Sequence, residues 1–237
     1  YSPVILSTPQ VLNAAIKAVN ALHRQTPFDC GLFLGDAINN SQYNELRWYL
    51  DVIDGKLITP SSGAHLGASS IGYQKPFQAA GLAPSIPWYQ VIGNHDQFWS
   101  GVNFINSKLL EALVGTNIIN MGTDSAAADA VDSTGAYMGV VDGTTPFGEV
   151  IGVGLTNEFN ARPTVVADQA RHSLATTNSS SQGWMTEFTN TTSLPVGHGF
   201  QMSNLTNDFA CYTFEPKPNL PLKVLVLESG AARHNLR

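Results

Sequence analysis

The chain has 237 residues, a length that fits one large α/β domain, and its 43% hydrophobic fraction is enough for a sizeable core and argues against disorder. Its 12 basic and 18 acidic residues give a formal charge of −6, which speaks against a nucleic-acid backbone as partner. No apolar run approaches the roughly 20 residues of a membrane-spanning helix.

Ser7-Thr8-Pro9 reads as a helix start, with a hydroxyl before a proline at the first helical position. Val11, Leu12, Ala15, Ile16, Val19 and Leu22 then recur at helical spacing to about Arg24. Phe28 to Leu34 is a short apolar strand that stops at Gly35-Asp36. Ser41 to Val52 has the pattern of a second amphipathic helix, carrying Tyr43, Leu46, Trp48, Tyr49 and Leu50. Residues 54–86, rich in Gly, Ser and Pro, are expected to form a long excursion. Trp88 to Ile92 is a second strand, broken by Gly93-Asn94-His95-Asp96, and a modest helix follows near 103–114. The stretch 115–208 is less regular: Glu149 to Leu155 alternates like a strand, while 175–182 and 188–193 read as solvated loop. Phe209 to Phe214 and Leu222 to Leu227 are two closing strands around a Pro-rich turn. This alternation of helix and strand predicts α/β layers.

Two places share one design, an apolar strand ending in Gly followed by ligand-type residues: CGLFL-GDAINN and WYQVI-GNHDQ. In α/β sheets functional groups gather beyond the carboxyl ends of strands, and Gly there lets the backbone turn sharply. Asp36 offers a carboxylate able to bridge two cations, and Asn94 a neutral amide oxygen. His95 offers an imidazole that binds metal or protonates a leaving group, and Asp96 is expected to orient that imidazole.

GD-x-x-N-N followed by GNHD, each after an apolar strand, resembles the calcineurin-like metallophosphoesterase superfamily, and NSQYNELRW is similar to a bacterial subgroup of that superfamily with unassigned activity. The resemblance covers roughly residues 28–45 and 88–98. It implies a layered α/β/β/α sandwich and hydrolysis of phosphate mono- or diesters by a hydroxide held on divalent metal (Mn, Fe or Zn). By the same resemblance Asp36 and Asn94 are metal ligands and His95 is the acid or transition-state stabiliser. Asn39 stands where many members carry Asp and, with Asn40, supports the site from behind. The family's D-x-H before these motifs and GH-x-H after them are not found, so the sandwich is expected to be incomplete at both ends. Two ions serve the family, and the ligands legible here leave two, one or none open.

Of the other histidines, His198 in PVGHGF is a further ligand candidate, and His65 belongs to a stretch with a substrate-lid reading. His172 beside Arg171 reads as a surface pair, His23 as helical and His234 as part of a tail. Cys30 and Cys211 read as small buried hydrophobes in core strands, too few for a disulfide scaffold or a thiolate zinc site. The opening YSPVILSTPQ lacks a signal-peptide core and is read as a mature or truncated start. Charged residues are only 13%, with Ser, Thr, Asn and Gly in their place, a composition that favours a secreted or periplasmic protein over the cytoplasmic alternative.

The expectation is therefore one metallophosphoesterase-like domain over 1–237, with insertions near 54–86 and 115–208, acting on a small phosphoester. The alternatives are a catalytically silent or truncated domain of the same fold serving as a binding module, and an unrelated metal-assisted hydrolase of carboxylic esters.

Overall fold

A computed structural model describes residues 7–60, 75–101, 105, 107–115, 136–141, 150–155, 167–176, 179 and 181–228. They form a mixed α/β arrangement: α1 (Thr8–Gln25), β1 (Gly31–Phe33), α2 (Tyr43–Ile53), β2 (Leu57–Ile58), β3 (Phe77–Gln78), β4 (Trp88–Gln90), α3 (Ser107–Val114), β5 (Ala136–Val141), β6 (Val150–Leu155), α4 (Gln182–Glu187), α5 (Met202–Asn207), β7 (Tyr212–Phe214) and β8 (Val224–Val226). Short 3-10 turns cover Phe98–Gly101 and Gln169–Arg171. Among the described residues no helix is long and apolar enough to cross a membrane.

The pairing that positions the site is β1 with β4, parallel, with Gly31 opposite Trp88, Leu32 opposite Tyr89 and Phe33 opposite Gln90. Parallel neighbours need a crossover, and α2 lies within it. Alternation along the strands sends Phe33, Trp88 and Gln90 to one face, where Tyr49 of α2 meets Phe33 edge-on at 5.8 Å and donates its hydroxyl to Gln90 Oε1 at 2.7 Å. Leu46, Leu50 and Ile53 of α2 are buried there with Trp88, Trp184, Met185, Phe188 and Phe200. β7 and β8 pair antiparallel, Tyr212 opposite Val226, and Tyr212 donates its hydroxyl to Gln90 O.

Several expectations need correcting. The excursion 54–86 is closed by a small antiparallel pair, Leu57 opposite Gln78 and Ile58 opposite Phe77, with 61–74 outside the described residues. The stretch 115–208 holds a β5–β6 hairpin and the helices α4 and α5. Phe188, read as the start of a solvated loop, is fully buried at the end of α4, and Ala175 and Ser181 are buried too. Cys30 and Cys211 each precede a strand by one residue, are half-buried and are both free thiols. His65 and His234 lie outside the described residues.

The other edge of β4 is taken by the chain at 194–198, with Trp88 N–H donating to Leu194 O and Gln90 N–H to His198 O, both at 3.0 Å. Asp54, just past α2, holds this segment by accepting from Thr192 N–H at 2.9 Å, Ser193 N–H at 3.1 Å and Ser193 Oγ at 2.7 Å. Burial pushes the Asp54 carboxyl up, but these hydrogen bonds and Lys56 outweigh it and hold it below its ordinary range. Asp54→Ala should cost about 2 kcal/mol in urea unfolding, because three donors lose one charged acceptor.

His198 sits at the end of that segment, fully buried and stacked on the Trp88 indole with ring centroids 3.5 Å apart. Its Nδ1 lies 3.1 Å from Trp88 O and its Nε2 2.8 Å from Thr191 Oγ1. A carbonyl accepts only, so Nδ1 carries the proton. With both nitrogens engaged inside the core, His198 is a packing residue rather than the further ligand candidate of its Gly-flanked sequence. Burial pushes its pKa down to about 4, against opposing contributions from Trp88 O and Asp54. The unfolded chain therefore binds a proton between pH 6.5 and 4 that the folded chain refuses, and stability falls as pH drops through that window. The loss should reach about 3 kcal/mol, and the fall in unfolding free energy between pH 7 and pH 4 should be smaller by that amount in His198→Asn.

Candidate active site

Beyond β1 and β4 the two chains turn away within contact of each other. Val91 N–H donates to Phe33 O at 2.8 Å, extending the pairing up to the two glycines. Gly35 has φ +99°, and a Cβ there would lie 2.6 Å from Gly93 N and 2.7 Å from Gly93 Cα. A Cβ on Gly93 would collide in turn with the side chain and backbone of Asp36. Both glycines are thus required by one backbone-to-backbone approach. Asp36 itself has φ 53°, a left-handed conformation that Asp tolerates better than most residues.

This approach brings the expected residues together. Asp36 Oδ1 accepts the His95 N–H at 3.0 Å, across 59 positions of sequence. His95 Nδ1 lies 3.1 Å from Asn39 Oδ1. The amide oxygen can only accept, so Nδ1 carries hydrogen in this arrangement. Asp36, Asn39 and Asn94 are exposed and His95 is half-buried. Asn40 accepts the Trp99 N–H on its Oδ1 at 2.6 Å, tying the loop after β1 to the turn after GNHD.

Asp96 has a different task from the one its sequence suggests. The partner of the His95 ring is Asn39, while Asp96 is fully buried and accepts from Ile38 N–H at 3.1 Å and Gly93 N–H at 2.7 Å. It is a strut between the two loops. Burial pushes its pKa up to about 7, although the hydrogen bonds from Gly93, Ile38 and Asp36 pull downward.

Sequence reasoning missed Glu45. Its Oε2 accepts the Asn39 N–H at 2.8 Å from the first turn of α2, so it fixes the residue that orients His95. Burial raises its pKa against hydrogen bonds from the Asn39 and Asn40 backbone. The legible signal was its place three residues after the cap Gln42, the spacing at which a glutamate reaches back over a helix start.

The donors fit part of a divalent cation's shell. One exposed carboxylate and one exposed amide oxygen stand at adjoining strand ends, with an imidazole beside them. Oxygen- and nitrogen-ligated divalent ions take about four to eight ligands, so others would have to join them. Among the described residues no three His, Cys, Asp or Glu side chains form a metal-holding group. No protein-family model, curated protein or solved structure matches the chain.

Proposed function

We propose that the chain is a metal-dependent phosphoesterase of the layered metallophosphoesterase type, acting on phosphate mono- or diesters at Asp36, Asn94 and His95. The observation that supports this most is the parallel β1–β4 pairing, which sets the two Gly-terminated motifs against each other with Asp36 Oδ1 on the His95 N–H. Asp36 and Asn94 would hold a divalent cation, which when bound supplies Lewis acidity to activate water and offset charge building on phosphorus. Asn39 keeps a His95 proton on Nδ1, so that Nε2 is the ring's other proton position; once protonated, Nε2 donates to the departing oxygen. In the overall reaction water forms a new P–O bond, the P–O bond to the alcohol breaks, and a water proton ends on the alcohol oxygen.

Turnover of p-nitrophenyl phosphate or bis-p-nitrophenyl phosphate should require added Mn²⁺ and vanish in EDTA. Elemental analysis of the purified chain would show how many ions it retains. Full turnover in EDTA would overturn the proposal. No turnover of either ester with Mn²⁺ would leave the binding-module reading of the same fold.

A further inference from the structure

Glu45 stands three residues into α2 from the cap Gln42, the spacing at which a glutamate commonly closes a capping box by returning to the cap's own N–H. Here the carboxylate reaches further upstream. Its Oε2 accepts the Asn39 N–H at 2.8 Å, and the carboxylate accepts from the Asn40 backbone as well. Gln42 makes no cap hydrogen bond with its side chain, so the charge of Glu45 is used on the loop instead of the helix start. The two residues it holds are the two whose side chains cross to the other loop. Asn39 Oδ1 lies 3.1 Å from His95 Nδ1, and Asn40 Oδ1 accepts the Trp99 N–H at 2.6 Å. A local rule set aside beside a candidate site is where a functional reason is expected.

The loop itself is tightly wound: Asp36 and Ser41, each at φ 53°, are left-handed residues on either side of Asn39. Asp96 anchors it at Ile38, from the turn that carries His95. Among the described residues the Asn39 backbone has no hydrogen bond other than the one to Glu45. The oxygen that meets His95 Nδ1 is therefore placed from α2, whose Leu46, Leu50, Val52 and Ile53 are fully buried. Hydrogen bonds to an ionised carboxylate are stronger than those to a neutral acceptor, which suits a contact that must keep one geometry. We propose that Glu45 is a positioning residue for His95, acting through Asn39 so that Nδ1 holds its hydrogen and Nε2 is left for the departing oxygen, an inference that rests on the phosphoesterase reading.

Glu45→Ala should lower kcat for p-nitrophenyl phosphate about tenfold with KM within about twofold of the parent, because the acid is misplaced while Asp36 and Asn94 stay. Asn39 is exposed, so water can replace the lost acceptor, and the thermal midpoint should move by no more than about 4 °C. A double-mutant cycle separates positioning from general support of the loop. In a His95→Ala background Glu45→Ala should change kcat by less than about twofold, because no ring is left to position. Glu45→Gln, which keeps the stem and one acceptor oxygen, gives the same cycle if the alanine variant does not fold. A second arm needs no turnover: without added Mn²⁺, at a pH where the ring is neutral, nitrogen chemical shifts of His95 should report hydrogen on Nδ1 in the parent and a mixture with the Nε2–H form in the variant. A parent ring without hydrogen on Nδ1, a ring state unchanged by the substitution, or an equal loss of kcat in both backgrounds would overturn the proposal. A parent that hydrolyses neither p-nitrophenyl ester yet shows the ring change supports Glu45 as the residue that sets the His95 ring and overturns the phosphoesterase reading alone.

Discussion

Asp36→Asn is expected to lower Mn²⁺-dependent hydrolysis of p-nitrophenyl phosphate at least about a hundredfold while leaving the fold intact. The substitution isolates charge from architecture. The Asp36 side chain is exposed, and its described structural duty is to accept the His95 N–H on Oδ1. An amide oxygen performs that duty as well as a carboxylate oxygen, so unfolding free energy should change by less than about 1 kcal/mol. What disappears is the anion, the only carboxylate among the proposed ligands. His95→Ala should cause a loss of similar size for another reason: it removes the Nε2 proton donor and leaves Asn39 Oδ1 facing solvent. Parent-like turnover in either variant would remove that residue from the chemistry.

Gly35→Ala should destabilise the protein by about 4 kcal/mol or more, or prevent folding. Two costs add at this position. An L side chain at φ +99° is strained wherever it stands, and here the new methyl would sit 2.6 Å from Gly93 N, against backbone that cannot swing aside. Gly31→Ala, four residues earlier at the start of β1, is the control. A Cβ there meets Trp88 Cβ at 3.4 Å, an ordinary contact, and the cost should stay within about 1 kcal/mol. Equal urea midpoints for the two variants would mean that the loops after β1 and β4 do not touch in solution.

The parts of this architecture readable from sequence are those with local signals. Thr8-Pro9 and the apolar stripe after it mark α1, and apolar runs stopped by Gly35 and Gly93 mark the two strands and place Asp36 and His95 at their exits. α4 was hidden because its turn is written QGWMTE, in a stretch dominated by Ser, Thr and Asn. Only Trp184, Met185 and Phe188 give it an apolar face, too few positions for periodicity to rise above the polar background. His198 misled because Gly-flanked histidines usually lie in open loops, whereas its burial depends on Trp88, 110 positions away. Asp96 misled for the same reason. Its neighbour in sequence is His95, but the donors it serves include Ile38 N–H, 58 positions away, and no sequence pattern announces a carboxylate that caps backbone across two loops.

That long-range bracing has a kinetic side. Asp36 with His95, Ile38 with Asp96, and Asn40 with Trp99 are contacts between positions 58 or 59 apart, and each joins the same two segments. None of them can form while the chain between is still open, because closing a loop of that length costs conformational entropy before any contact rewards it. α1 and the first turns of α2 have local hydrogen bonds to begin from; these three cross-links do not. Opening of the β1–β4 pairing and loss of the candidate site are therefore one event, and a chain that has its helices but not that pairing holds every proposed residue and no assembled candidate site.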